Sequence, residues 1–150
     1  GIAGDSGFVS INTTKYLMNR EVGFGRKLLQ ILEDLNISWD HMPTGIDDLS
    51  VILRSKELTP IKEQEILKHL IQDLQVDYAE IEHDLSIIMI VGENMKNQIG
   101  VTATATKALS ENNINIQMIS QGSSEVSIMF VVNQEQEKQA IKALYNVFFN

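Results

Sequence analysis

The sequence predicts an α+β fold of two ferredoxin-like βαββαβ units in tandem, the second lacking its C-terminal strand. Three observations carry the prediction: the chain matches itself without a gap at an offset of 77 residues, short β-prone runs alternate with runs of helical spacing, and the second copy ends before its last strand could follow. At that offset Met18 falls on Met95, Gly23 on Gly100, Leu32 on Leu109, Asn36 on Asn113, Ile37 on Ile114, Gly45 on Gly122 and Ser50 on Ser127. Apolar character is kept between these points, as in Ile11 on Ile88, Val22 on Ile99 and Val51 on Ile128. Residues 6–83 are expected to form the first unit and 84–150 the second, with residues 1–5 as the candidate supply of the strand the second copy lacks.

The elements follow in order. Residues 8–12 and 85–89 are β-prone runs that end before polar stretches, and they read as first strands. Val22, Leu28, Leu29, Leu32 and Leu35 then recur at helical spacing, and the copy repeats this with Val101, Ala105, Ala108 and Leu109. Residues 36–42 and 113–119 are expected second strands, each lifted out of its helix by an Asn and closed by a turn at Gly45 or Gly122. Third strands are expected at 49–53 and 126–132. Thr59-Pro60 opens a helix with Pro in the tolerated first turn and Ile66, Leu67, Leu70, Ile71 and Leu74 on one face; its counterpart runs over 134–148. Residues 76–82 alternate as a fourth strand of the first unit.

Composition bounds the function. With 43% hydrophobic and 21% charged residues, the 150-residue chain can bury a core. Twelve Lys+Arg against 20 Asp+Glu, a net charge of −8, argue against nucleic acid as a partner, because phosphate binding needs clustered cations. The absence of cysteine excludes disulfides, thiolate metal sites and thiol catalysis, and suits a reducing, cytoplasmic setting. Apolar stretches such as Ile87-Ile88-Met89-Ile90-Val91 are far too short to span a membrane, and no targeting signal opens the chain. Its first residue is Gly1, so the sequence is expected to start within a longer protein.

The catalytic inventory is empty. His41, His69 and His83 have no partner at metal spacing, and Gly23-Phe24-Gly25-Arg26-Lys27 lacks the third glycine of a dinucleotide fingerprint and the Gly-Lys-Ser/Thr of a phosphate loop. Ser6, Ser10 and Ser50 have no nucleophile elbow, and Asp47-Asp48 reads as a solvated turn. Binding chemistry is available instead at the start of each unit's first helix. The free N–H groups and positive dipole end there suit a carboxylate, and Gly23 and Gly25 let a ligand come close to the backbone. Asp40 on the next strand could receive an ammonium and Thr44 could add a hydroxyl, which together suit a free amino acid. The second unit carries Gln117 in place of Asp40, so only the first should favour an extra cation such as a lysine side chain.

Three stretches carry a family resemblance: residues 18–27 (Met-Asn-Arg-Glu-Val-Gly-Phe-Gly-Arg-Lys), residues 41–47 (His-Met-Pro-Thr-Gly-Ile-Asp) and residues 113–125, with their Met-Ile-Ser-Gln-Gly-Ser-Ser-Glu run. They resemble the C-terminal regulatory region of aspartate kinases over nearly the whole chain. The resemblance implies a tandem pair of ACT domains that bind end-product amino acids and inhibit an N-terminal kinase domain, by feedback in the aspartate-family amino-acid pathway. It further implies a homodimer of ACT domains packed side by side, with effector sites at their interface. Carried over residue by residue, the effector pocket is expected at Met18, Gly23, Phe24, Gly25, Asp40 and Thr44, with lysine the first choice of effector and threonine the second. Asn94, Met95, Ile99, Asn115, Gln117, Ser120, Gln121, Ser123, Ser124 and Glu125 are expected to shape a second effector site or an interface. The kinase's Lys-Phe-Gly-Gly-Thr-Ser start is absent, so this fragment is expected to phosphorylate nothing by itself and to hold no cofactor, ATP and Mg belonging to the missing kinase domain. Two other readings stay open: a free-standing ACT-type sensor or dimerisation module with no kinase attached, and an enzyme built on a ferredoxin-like scaffold.

Overall fold

Strand β1 (Ile2–Thr14) is one long run, although the sequence suggests two short ones, and β3 (Tyr78–Val91) likewise joins the two strands expected at 76–82 and 85–89. The computed structural model describes residues 1–92, 95, 97–124 and 126–149. They divide into a leading unit, Phe8–His83, and a trailing unit made of Gly1–Gly7 and Asp84–Asn150. Both long strands change unit at a left-handed residue, Gly7 (φ 82°) in β1 and the Gly7 counterpart Asp84 (φ 58°) in β3. Such a residue interrupts regular strand geometry, and Gly and Asp are types that tolerate it.

In the leading unit the helices are α1 (Phe24–Asp34) and α2 (Pro60–Gln72), and β2 (Asp48–Arg54) lies antiparallel to β1, from Phe8 opposite Arg54 to Thr14 opposite Asp48. The strand order is β2-β1-β3. Alternation sends Val9, Ile11, Leu49, Val51 and Leu53 to one face, where they bury against Phe24, Leu28, Ile31 and Leu32 of α1 and Ile66 and Leu70 of α2. Alternate residues build a polar cluster around Asn12, whose Oδ1 accepts from Ser10 Oγ (2.5 Å) and Ser50 Oγ (2.8 Å) while its Nδ2 donates to Glu80 (3.1 Å). Tyr78 donates its hydroxyl to the same Glu80 at 2.8 Å; this bond first, and that from Asn12 second, hold the Glu80 carboxyl below its usual range.

The trailing unit carries α3 (Val101–Glu111), β4 (Met118–Gln121), β5 (Ser127–Asn133) and α4 (Glu137–Phe149), with strand order β1-β3-β5-β4. Its core gathers Ile88, Ile90, Leu109, Ile128, Phe130, Val132 and Leu144, with Ile2 packed against it. The Val91 N–H donates to the Gly1 carbonyl at 2.8 Å, so the first residues of β1 pair with the end of β3.

The repeated Asn-Ile pairs end the first helix of each unit in the same way. Asn36 and Asn113 both have φ 57°. The Asn36 N–H donates to Glu33 and the Ile37 N–H to Leu32, as those of Asn113 and Ile114 do to Ser110 and Leu109, all at 2.9–3.0 Å. This is the Schellman arrangement, and its apolar contact is supplied by buried Ile37 and Ile114.

The second strands differ from expectation. Residues 36–42 form no regular strand; His41 bridges Ile52 and Thr44 bridges Leu49 as isolated contacts. Two local causes are visible. The N–H groups of Asp40 and His41 both donate to the Ile52 carbonyl, at 2.9 and 3.1 Å, which breaks the one-to-one count of a ladder, and Pro43 has no N–H to give. In the trailing unit β4 begins only at Met118, after Gln117 has donated to Val131 at 2.8 Å.

Candidate functional site

The start of α1 is built by the loop that follows β1. Met18 lies buried in a short 3-10 turn, Met18–Arg20, and Phe24 is buried as the first residue of α1, so both anchor the loop in the core. Gly23 caps the helix at φ 83° and ψ 7°, a conformation that favours glycine, and a Cβ added at Gly25 would meet nothing within 4 Å. The backbone at this helix start is therefore approachable, as a carboxylate ligand requires.

Charge surrounds it. Lys15 Nζ donates to Glu21 (2.5 Å) and to the Leu74 carbonyl (2.7 Å), and lies 5.8 Å from the Phe24 ring centre. Lys27 approaches the other Glu21 oxygen at 3.6 Å. The Lys15 bond, with a smaller contribution from Lys27, holds the Glu21 carboxyl below its ordinary value of 4.5. Lys15 and Glu21 are site neighbours that sequence reasoning missed. The alternation of β1 puts Thr13 and Lys15 on the face of Val9 and Ile11, which was the available signal.

That same face holds two orphan oxygens. Thr13 lies opposite Leu49, and the Lys15 N–H donates to the Asp47 carbonyl at 2.9 Å, extending the pairing by one step. Thr13 Oγ1 and Asp47 Oδ1 are buried without a hydrogen-bond partner among the described residues. Asp47 does lie in a bend, ahead of exposed Asp48 at the start of β2, but it is half-buried and its Oδ1 is enclosed.

The two polar residues expected on the second strand are separated. Thr44, exposed, bridges Leu49 and so lies at the end of the sheet where β1 leads into the α1 loop. Asp40, also exposed, precedes His41, the residue opposite Ile52, and so lies about 10 Å or more further along the edge at about 3.3 Å per residue. Next to it, partial burial holds the His41 imidazole below its ordinary value of 6.5. Two pockets of the leading unit lie elsewhere: one of about 550 Å³ among Leu32, Glu33, Asn36, Trp39 and Glu57, and one of about 400 Å³ among Arg26, Gln30, Ile31, His69 and Asp73.

In the trailing unit Met95 is buried, Gly100 caps α3 at φ 90°, and Ile99 before it is 99% exposed, as its counterpart Val22 is 95% exposed. Asn115, Gln121, Ser123 and Ser124 are exposed, whereas Gln117 and Ser120 are half-buried. Asn94 and Glu125 lie outside the described residues. Among the described residues no group of three or more His, Asp or Glu could hold a metal ion, and no helix is long and apolar enough to cross a membrane.

Residues 88–148 match the ACT domain family. Over 149 residues the chain is 52% identical to aspartokinase 3 of Bacillus subtilis, a match covering 99% of this chain and 33% of that protein. The crystal structure of the Clostridium acetobutylicum aspartate kinase superposes with a TM-score of 0.93 at 37% identity, covering 99% of this chain and 34% of that one. The regulatory subunit of aspartate kinase from Thermus flavus has a TM-score of 0.84 and covers 99% of this chain and 97% of its own, a likeness of fold at 21% identity. The chain spans about a third of the length of the first two proteins.

Proposed function

We propose that the chain, which matches the ACT domain family over residues 88–148 and is similar over nearly its whole length to aspartate kinases, is the amino-acid-sensing regulatory region of such a kinase. Phe8–His83 is a first ACT domain in this reading, supported by the ungapped repeat and by the identical helix caps at Asn36 and Asn113. The observation that carries the function is the start of α1, where left-handed Gly23 and unobstructed Gly25 leave the backbone open to a ligand carboxylate. Met18 and Phe24 hold that loop to the core, and Thr44 adds a hydroxyl at the same end of the sheet.

Lysine is the effector that fits best, and threonine the second. Asp40 keeps a carboxylate on the exposed edge of the leading unit, where the trailing unit has neutral Gln117. Its distance along the edge from Thr44 suits a long cationic side chain better than a short one. Binding regulates only if two arrangements of the protein take the ligand with different affinity; in this reading those are arrangements of a cytoplasmic homodimer paired through its ACT domains. The kinase domain, with its ATP and Mg, supplies the inhibited activity of the aspartate-family pathway.

Titration calorimetry on a sample shown to be dimeric tests this. Lysine should release heat, and Asp40→Asn should weaken lysine by about fivefold, the worth of an exposed ion pair of about 1 kcal/mol, while leaving threonine nearly unchanged. Heat from neither amino acid overturns the sensor reading. Equal losses for both remove the cation assignment.

A further inference from the structure

The two units tie the end of their first helix to the turn after the third strand in different ways. In the trailing unit that short 3-10 turn is Gln134–Gln136, and Gln136 Nε2 donates to the Asn113 carbonyl at 3.1 Å. In the leading unit the turn is Ser55–Glu57, so Glu57 takes the place of Gln136, and Asn36 that of Asn113. A carboxylate has no N–H to give, so a donor and an acceptor become two acceptors. Ser38 Oγ donates to one Glu57 oxygen at 3.2 Å. Asn36 and Glu57 both line the pocket of about 550 Å³ at this end of the leading unit. Its other walls have changed in the same sense. Trp39, exposed and the only Trp of the chain, stands where the trailing unit packs Ile116 against its core, and Glu33 stands where it has Ser110. Helix α1 ends on Glu33-Asp34 with no basic residue in its last turn, which sets negative charge at the negative end of the helix dipole. No Lys, Arg or His is among the described residues that line the pocket.

We propose that this pocket is a binding site for a small aliphatic diamine. One ammonium supplies the donor that Glu57 lacks, giving its N–H bonds to the Asn36 carbonyl and the Glu57 carboxylate together, and the other faces exposed Glu33. The hydrocarbon stem lies along Leu29 and Trp39, whose ring face also attracts a cation. Charge selects against an amino acid here: with two carboxylates and no cation on the described walls, a ligand's own carboxylate meets only like charge. The trailing unit makes neither demand, since Gln136 already serves Asn113 and Ser110 is neutral. The site shares no residue with the α1 start and does not rest on the effector reading above.

Because Trp39 is the sole tryptophan, its emission reads this pocket directly. The test is a fluorescence and calorimetric titration of the 150-residue chain with cadaverine at constant ionic strength, with n-pentanol as the uncharged control and ε-aminocaproate as the control that carries a carboxylate. Cadaverine should change the Trp39 emission saturably and release or absorb heat with the same midpoint. Pentanol should do neither, and ε-aminocaproate should bind about fivefold more weakly or less well still. Glu57→Gln, which gives the leading unit the donor that the trailing unit has, should weaken cadaverine by about fivefold or more, and Glu33→Gln should weaken it by a smaller factor. Absence of both heat and a saturable emission change, or a midpoint that neither variant moves, overturns the site. An equal response to pentanol overturns the role of charge, and equal affinity for ε-aminocaproate overturns the exclusion of a carboxylate. Asp40→Asn should leave the cadaverine midpoint in place and Glu57→Gln should leave lysine's heat in place, so this site and the effector site fail or stand separately.

Discussion

Asn12 serves three partners at once, and its removal shows what a single side chain holds together. Ser10 is fully buried and its hydroxyl donates to Asn12. Asn12→Ala strands that hydroxyl and releases Ser50 and Glu80, so a loss of about 1–3 kcal/mol in urea-denaturation stability is expected. His41 gives a pH signature. Because burial lowers its folded pKa below 6.5, the unfolded chain binds the proton more readily; stability is full above about pH 6.5 and declines as pH falls through the folded value. His41→Gln should flatten the stability profile as pH falls below about 6.5 relative to the parent, measured by denaturation midpoints. At this scale the candidate site was only partly legible. Glycine at a helix start is readable from chemistry alone, but the Lys15–Glu21 pair depends on how the loop folds back over Phe24, which spacing does not encode.

Elements were more legible than side chains because their boundaries are set locally. Thr59 caps α2 by accepting from the Lys62 N–H at 3.2 Å with Pro60 in the first turn, as the Thr-Pro pair predicts. Thr59→Ala should cost about 1 kcal/mol, read as a lower melting temperature. The Asn-Ile ends of α1 and α3 were equally readable, since a left-handed Asn followed by a buried Ile is a local stop. What escaped was the second strand of the leading unit. Its residues are β-prone in isolation, yet Pro43 and the shared Ile52 acceptor reduce it to two bridges, and both effects depend on the register against β2. The unbroken length of β1 and β3 escaped for the opposite reason: Gly7 and Asp84 look like breaks, but left-handed residues let a strand bend and continue.

For the whole molecule, two separate cores mean that damage should stay where it is made. Gly4 belongs to the trailing unit, and a Cβ there would press on the ends of Ile141 and Ile88, at 2.6 and 3.1 Å. Gly4→Val should therefore cost about 1–3 kcal/mol through overpacking. Hydrogen exchange should quicken in the α3 and α4 amides while those of α1 and α2 keep most of their protection, and uniform acceleration would show that the two units open together. The same duplication left Val22 and Ile99 in solvent, one residue ahead of each left-handed helix cap, in a chain with no cysteine. Val22→Cys or Ile99→Cys would thus be the sole thiol of the chain, so a spin label or fluorophore can be attached at either helix start and each unit's response to an added amino acid recorded on its own.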